Sequence, residues 1–471
     1  MALLLAVSAC GGGGSPSAPG TGVVTPAPTP TPTPTPAPSA CSLRARQDWA
    51  AAQLREWHLF PETLPAALDP AGFSSVQAYV DALTATARGQ GRDRFFTFVT
   101  SIAEEEAFFA SGQTAAFGIR TEIDSLARRL FVVDAFEGAP ALAAGIDRGA
   151  EIIGIGTNAA DVRSIETILT REGSAGITAA LGPSTAGTTR TLEIRVAGAT
   201  RLVTVTKADF AIPPISPRFG TRILTDNGQR IGYINLRTFI TPAGPALRDS
   251  FARLRAEGVT QVIIDFRHNG GGLVTVAEEM GDLLADNRLT TEVQGFTTFR
   301  PEKSQFNETR LFRKAPQAIA SSRIAFIGTR ASASASEAVM NGTIPYLGAA
   351  TGLIGGNTFG KPVGQIGLDR AQCDDRLRVV AFSVQNASRQ ANYFNGMASE
   401  FAATCRADDN IERQMGDPEE ASTKVALDFL AGRPCTPISI EPRPASAREG
   451  RRQFLVPEAP SVAQREVPGL F

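Results

Sequence analysis

Apolar positions divide this chain into stretches of different rhythm. Over residues 41–112 they recur at helical spacing. Trp49, Leu54, Trp57 and Phe60 fit one amphipathic helix that ends before Pro61, and Val76, Tyr79, Val80 and Leu83 follow i, i+3, i+4, i+7. This predicts a small helical N-terminal domain, a cap with nothing in it that carries chemistry. Between residues 113 and 213 the rhythm shortens to strands separated by Gly-rich turns, with one strand expected over 130–133. From 214 to 435 strands and helices alternate. A strand is expected over 231–236, and a helix over 245–257 with Leu247, Phe251 and Leu254 on one face and Gly258 past its end. A buried strand follows over 262–266, a helix over 274–284 and a strand over 323–328. Such alternation predicts helices layered on a sheet with active groups at the strand ends, so the fold class is multidomain α/β.

The flanks read differently. Residues 1–10, MALLLAVSAC, resemble a truncated bacterial lipoprotein signal in which Cys10 is lipidated, the alternative being a frayed apolar terminus. Gly11 rather than Asp after that cysteine implies the outer membrane. Residues 11–40 are a Pro/Thr-rich linker whose alternating prolines favour extended polyproline II, a spacer that would hold a globular body off a membrane. Residues 436–471, rich in Pro and Arg, are expected to be a disordered tail. A sharper hypothesis is that their apolar end, Val467 to Phe471, docks in the protein's own peptide groove as an inhibitor. Net charge of −1 over 471 residues, with no basic stripe, gives no reason to expect nucleic acid. Beyond Cys10 the cysteines are Cys41, Cys373, Cys405 and Cys435; none forms a CxxC or Cys/His set, so no metal is expected. An exported chain makes two disulfides plausible; the pairing Cys373–Cys405 with Cys41–Cys435 is favoured over the other two, and free buried thiols are the alternative.

Candidate chemistry starts from the scarcity of bases. A serine hydroxyl needs a neighbouring base to become a nucleophile, and the chain has only His58 and His268. A desolvated lysine can serve instead, whereas arginine cannot lose its proton. Of 46 basic residues, only Lys207, Lys303, Lys314, Lys361 and Lys424 are lysines. Lys361 is set among Phe359, Gly360, Pro362 and Val363, which are small or apolar. Ser334 opens S-A-S-E with Glu337, the form of a helix capping box, and a plain N-cap serine is the bland alternative. The two readings coexist, because a helix N-terminus offers free N–H groups to a developing oxyanion. The turn Gly270-Gly271-Gly272, between a strand and a helix, can present N–H groups to an anion. An oxyanion hole is the reading consistent with Ser334; phosphate binding and a merely tight turn are the others. His268, a lone histidine beside this turn, stays outside the mechanism.

Two resemblances then add to the residues. Phe117-Gly118-Ile119, the turn Glu137-Gly138-Ala139-Pro140-Ala141, and AGIDRGAEIIGI at residues 144–155 resemble a PDZ domain, with Ala150 where Asp is usual. That implies that the 117–119 turn offers N–H groups to a peptide C-terminus, and that the following strand adds the peptide as a β-strand. DFRHNGGG at 265–272, ASASASEA at 331–338 and NTFGKPVGQ at 357–365, in this order behind a PDZ-like domain, closely resemble the carboxyl-terminal processing peptidases, the S41 serine peptidases. Tyr393-Phe394-Asn395-Gly396 and Gly416-Asp417-Pro418-Glu419 are similar to lipoprotein members.

The resemblance implies a ClpP/crotonase-like α/β peptidase core over 214–435 behind a PDZ-like domain over 113–213. It implies a serine endopeptidase that cuts proteins near their C-termini in the bacterial cell envelope. Ser334 would be the nucleophile, Lys361 its general base and Gln365 the support of that lysine. Ala335 and either Gly271 or Gly272 would be the oxyanion donors, with no cofactor. Its partners would be substrates with free C-termini, a membrane through Cys10, and an adaptor lipoprotein or further copies of the chain. Pro362 departs from the glycine usual after the lysine, and residues 340–356 run slightly longer than the family norm. The rival function is a peptide-binding envelope lipoprotein that keeps the fold without the reaction.

Overall fold

The computed structural model describes residues 40–439 and 452–471. The proposed signal, Cys10 and nearly all of the linker lie outside the described residues. The expected alternation over 214–435 folds into a six-stranded sheet. Its order is Thr221–Asp226, Gln229–Asn235, Gln261–Asp265, Arg323–Gly328, Thr351–Gly355 and Thr404–Arg406, the first pair antiparallel and the rest parallel. Alternate side chains of each strand enter separate cores. Val262 and Ile264 pack with Leu247, Phe251, Met280 and Met340 from helices Ala243–Ala256, Val274–Leu283 and Ala335–Leu347. Ile263, between them in sequence, packs with Leu427, Phe429 and Leu430 of helix Ala421–Leu430 on the opposite face. Both faces are therefore covered, which is why the strands read as continuous apolar runs.

Register sets the position of the site. Asp265 pairs with Ile327, and Gly328 with Gly355, so three adjacent parallel strands end almost level. The segments that follow carry Gly270–Gly272, Ser334 and Lys361, in that order. Ligands of open α/β sheets sit at such carboxyl ends.

The helical pattern near the N-terminus yields helices Leu43–Trp57 and Val76–Leu83, the first ending at Trp57 rather than Phe60. Ala50, Ala51 and Leu54 pack against Val76, Tyr79, Val80 and Leu83, and both faces rest on Leu377 and Val379. These last two belong to Asp375–Asn386, the long strand of a second, antiparallel sheet that includes Val363–Arg370. The cap thus lies over the hairpin whose first strand follows Lys361.

The favoured cysteine pairing is wrong in both bonds. Cys41 joins Cys373, and Cys405 joins Cys435. Cys41 precedes the helix that packs on the long strand, and Cys373 sits in the turn that opens that strand. Cys405 lies on the edge strand of the six-stranded sheet beside the segment leaving helix Ala421–Leu430.

Residues 113–213 form a β-rich unit. Its sheet runs Ile119–Asp124, Arg129–Ala135, Glu151–Gly156, Thr189–Val196 and Ala199–Thr206, and helix Ile165–Leu181 crosses its apolar core. The strand expected over 130–133 is the middle of Arg129–Ala135. Two buried arginines join this unit to the α/β core of residues 214–435. Arg237 reaches Asp134 at 2.9 Å and Glu137 at 2.7 Å, and Arg148 reaches Asp409 at 2.5 Å.

Of the tail, residues 440–451 lie outside the described residues, and 452–471 are ordered against the body rather than free. Arg452–Phe454 adds as an edge strand to Ile119–Asp124, and Val462–Glu466 is a helix. Val462, Ala463, Val467, Leu470 and Phe471 are buried. Proline and arginine content favours disorder only while the apolar residues between them lack a surface to cover.

Candidate active site

Ser334 is the N-cap of helix Ala335–Leu347 and has φ 54°, ψ −113°. A non-glycine residue at positive φ carries strain of about 1–3 kcal/mol and persists only where its surroundings impose it. Here they do. Ala333 N–H donates to the Asn269 carbonyl (3.1 Å), Ser332 Oγ donates to the Phe266 carbonyl (2.7 Å), and Ser336 Oγ donates to the Asn269 carbonyl (3.1 Å). Each bond ties the serine turn to the end of strand Gln261–Asp265.

The glycine turn packs directly on the serine. Gly271 has φ +113°, and a Cβ there would lie 2.8 Å from Ser334 Cβ and 3.1 Å from the Ala335 nitrogen. No side chain fits that contact. Of the two glycines proposed as donors, Gly271 gives its N–H to Asn269 Oδ1 at 2.9 Å, which leaves Gly272 as the candidate of the two. His268 faces away from this chemistry: its Nε2 lies 3.2 Å from Asp409 Oδ2, and its ring meets Phe454 edge-on at 5.2 Å.

Glu337 joins the serine to the lysine loop. Its carboxylate is fully buried and accepts four hydrogen bonds: from Ser334 N–H (3.0 Å), Lys361 N–H (2.7 Å), Gly360 N–H (2.6 Å) and Thr358 Oγ1 (2.5 Å). Ser334 and Lys361 donate to the same oxygen, Oε2. Burial pushes the Glu337 carboxyl up, while these donors hold it down. The S-x-x-E pattern signalled a capping glutamate, and Glu337 does accept the Ser334 N–H. Its grip on the lysine loop left no trace in local sequence.

Lys361 Nζ donates to Gln365 Oε1 at 2.6 Å and lies 5.0 Å from the centre of the Phe96 ring. Gln365 Nε2 in turn donates to the Phe96 carbonyl. Among the described residues no hydrogen bond joins Lys361 Nζ to Ser334 Oγ. Burial holds the lysine below the usual ammonium range, and the nearby Glu466 and Asp93 carboxylates oppose it. Pro362 causes no break: Gly360, at φ +90°, turns the chain before it, and the Pro362 carbonyl accepts the Val384 N–H at 3.0 Å.

The helical cap, read from sequence as carrying no chemistry, braces the lysine loop. Arg94 donates to the carbonyls of Phe359 (2.7 Å), Gly360 (2.5 Å) and Phe394 (3.1 Å) and lies over the Phe359 ring. The segment that presents Arg94 and Phe96 is braced by buried Asp93, which takes N–H groups from Phe96 and Thr97 and lies 3.1 Å from His58. Long-range contacts of this kind leave no local signal.

Phe117, Gly118 and Ile119 lie at the start of the edge strand of the β-rich unit. Gly118 has φ +82°, and a Cβ there would meet Ala139 Cβ at 2.0 Å, so the turn admits only glycine. The Ala141 N–H donates to the Phe117 carbonyl at 2.9 Å, and the amides of Gly118 and Ile119 have other partners. Those partners are in the tail: both amides donate to the Phe471 carbonyl oxygen, at 2.9 and 3.2 Å.

Residues 230–396 match the model of peptidase family S41. A carboxyl-terminal-processing protease of Picosynechococcus sp. is 26% identical over 254 residues, 53% of this chain and 55% of that protein. The chloroplastic carboxyl-terminal-processing peptidase 2 of Arabidopsis thaliana is 32% identical over 166 residues, 34% of this chain and 30% of that protein. The chain thus spans about half or less of the length of these relatives. A crystal structure described as an S41 protease from Bacteroides fragilis superposes with a TM-score of 0.63 at 20% identity, covering 82% of this chain and 97% of that one. That likeness is one of fold.

Proposed function

We propose, from the peptidase family S41 domain that this chain carries at residues 230–396, that it is a serine peptidase cutting protein chains near their C-termini in the bacterial envelope. The observation that carries the reading is the shared carboxylate oxygen of Glu337, which fixes the backbones of Ser334 and Lys361 side by side. In the reaction neutral Lys361 takes the Ser334 proton as Oγ bonds to the peptide carbonyl carbon. Negative charge on the carbonyl oxygen falls to the amides of Ala335 and Gly272; one such donor contributes about 10²–10³ in rate. The carbon–nitrogen bond then breaks, and Lys361 gives its proton to the leaving amine. Water, deprotonated by Lys361, attacks the acyl-enzyme; the ester bond breaks and Oγ regains a proton. Gln365 holds the amine in place between these transfers. The turn 117–119 and its strand supply a PDZ-type groove for the substrate's C-terminus, and a lipid on Cys10 would keep the enzyme at the outer membrane.

Fluorophosphonate labelling tests the assignment. Ser334 is expected to label in the wild type, and Ser334→Ala to abolish both labelling and peptide cleavage. Labelling that survives Ser334→Ala sinks it. One observation favours the rival, a silent peptide-binding protein: the lysine amine rests on Gln365 and not on the serine hydroxyl. A purified wild type that binds peptides but neither labels nor cleaves would establish that rival.

A further inference from the structure

The edge of strand Ile119–Asp124 is already occupied. Arg452, Gln453 and Phe454 pair antiparallel with Asp124, Ile123 and Glu122. The Leu455 N–H donates to the Thr121 carbonyl (3.2 Å), the Thr121 N–H to the Gly469 carbonyl (2.8 Å), and the Phe471 N–H to the Ile119 carbonyl (2.9 Å). Phe471 is buried in the apolar core of the β-rich unit with Phe117, Ile119 and Ala141. Its carbonyl oxygen on the amides of Gly118 and Ile119 occupies the place where a terminal carboxylate of an added strand would be received.

The same segment reaches the catalytic turn. A Cβ on Gly270 would lie 3.0 Å from the Glu466 carbonyl oxygen and 3.6 Å from Pro468. Val467 and Leu470 are buried with Phe108, Phe136 and Phe210, and Gln464 Nε2 donates to the Leu470 carbonyl at 2.9 Å. Arg465 lies over the Phe98 ring. The segment therefore pairs with the groove strand and also touches the glycine turn beside Ser334.

We propose that residues 452–471 are the resident ligand of this groove. They hold the peptidase at rest, and the chains able to displace them are those whose last residue is bulky and apolar, with a free carboxylate. This rests on the Ser-Lys reading. The pocket at Phe471 supplies the side-chain preference and the 118–119 amides supply the preference for terminal oxygens. An attached ligand competes at an effective concentration of about millimolar, so micromolar substrate would be largely excluded.

The test uses the full chain. Phe471→Asp places a charge in the apolar pocket and is expected to raise peptide hydrolysis by about tenfold or more. The synthetic heptapeptide REVPGLF as the free acid is expected to reverse that gain, and its C-terminal amide to do so far more weakly. If Phe471→Asp labels fully at Ser334 yet cleaves no faster than wild type, the proposal is overturned. Equal inhibition by acid and amide overturns the carboxylate preference. Should Phe471→Asp fail to fold, a specific protease site placed within residues 440–451 can be cut after folding. Activity that stays unchanged once the cut segment has been washed away again overturns the proposal. If nothing labels or cleaves, the catalytic reading has failed; fluorescence anisotropy of REVPGLF on the cut, washed chain then still decides the groove.

Discussion

The candidate catalytic loops and the proposed peptide groove are both built around a glycine at positive φ that admits no side chain, yet they are filled in opposite ways. Gly271 packs against Ser334, a neighbour within the same sheet architecture, and the closing bonds come from Asn269, Ser332, Ser336 and Glu337. Gly118 opens a groove whose closing bonds come from Gly469 and Phe471, some 350 residues away in sequence. The first assembly is permanent because every partner is a fixed part of the core. The second can be undone by removing one segment, which is what a site that must exchange peptides requires.

The largest expected effect breaks the permanent side outright. Ser334→Ala or Lys361→Ala should each lower kcat by roughly 10⁶-fold, since members of such a unit fail together. Cut within residues 440–451 and freed of the tail, both variants should bind REVPGLF as the wild-type body treated in the same way does, because the amides of Gly118 and Ile119 do not depend on either side chain. Loss of peptide binding in Ser334→Ala would merge the two regions and end the comparison.

Glu337→Gln comes next. Four donors converge on this carboxylate, and an amide can accept at only one of its two positions. Losing hydrogen bonds to a buried charged group costs about 1.5–3 kcal/mol each. Thermal unfolding should therefore shift down, and kcat should drop by about 100-fold as the lysine loop moves off the serine turn. An unchanged kcat with a lowered Tm would mean that Glu337 serves the fold alone.

Arg94→Ala should have a smaller effect, about tenfold on kcat with KM little changed, because it removes two hydrogen bonds that hold the lysine loop from the side of the cap and a third to Phe394 beside it. Measuring the two constants separately checks this. A rise confined to KM would place Arg94 in substrate binding instead.

How far sequence reached follows the same division. The strands over 262–266 and 323–328, and the helices that cover them, were legible because burial on both faces leaves continuous apolar runs between turn signals. Ser334, Lys361 and Gln365 stood out by chemistry and by motif, and the structure brings their loops together at adjacent strand ends. Glu337 was visible as half of a capping box, but its bonds to residues 358–361 were not, since they join segments separated by a strand. Arg94 and Phe96 looked like ordinary cap residues; nothing local marks an arginine that will meet a loop 265 positions later. The disulfides failed for the same reason: pairing depends on which element packs beside which, and spacing does not carry that. For the tail, composition alone favours disorder, and only the apolar end Val467 to Phe471 points to a docked segment; that the upstream residues 452–454 pair as a strand left no local signal.

The smallest effect joins the two regions. Glu466 belongs to the tail, and its carboxylate favours the charged form of Lys361 while burial opposes it. The lysine must be neutral to take the serine proton, so activity should rise with pH through a value below the ordinary lysine range. Glu466→Gln removes the charge that keeps the proton on the amine, so the lysine should lose it at lower pH and the rising limb should move down by about one pH unit or less. Glu466 is itself pushed up by burial and drawn down by Lys361, so the difference between the two proteins should disappear at pH low enough to protonate its carboxyl. Phe471→Asp, by freeing the segment, should produce the same displacement of the limb, and adding Glu466→Gln to it should produce no more. Two additive displacements would mean that Glu466 acts on the lysine whether or not the groove is filled, and the tail would then be a fixed part of the catalytic core and not its ligand.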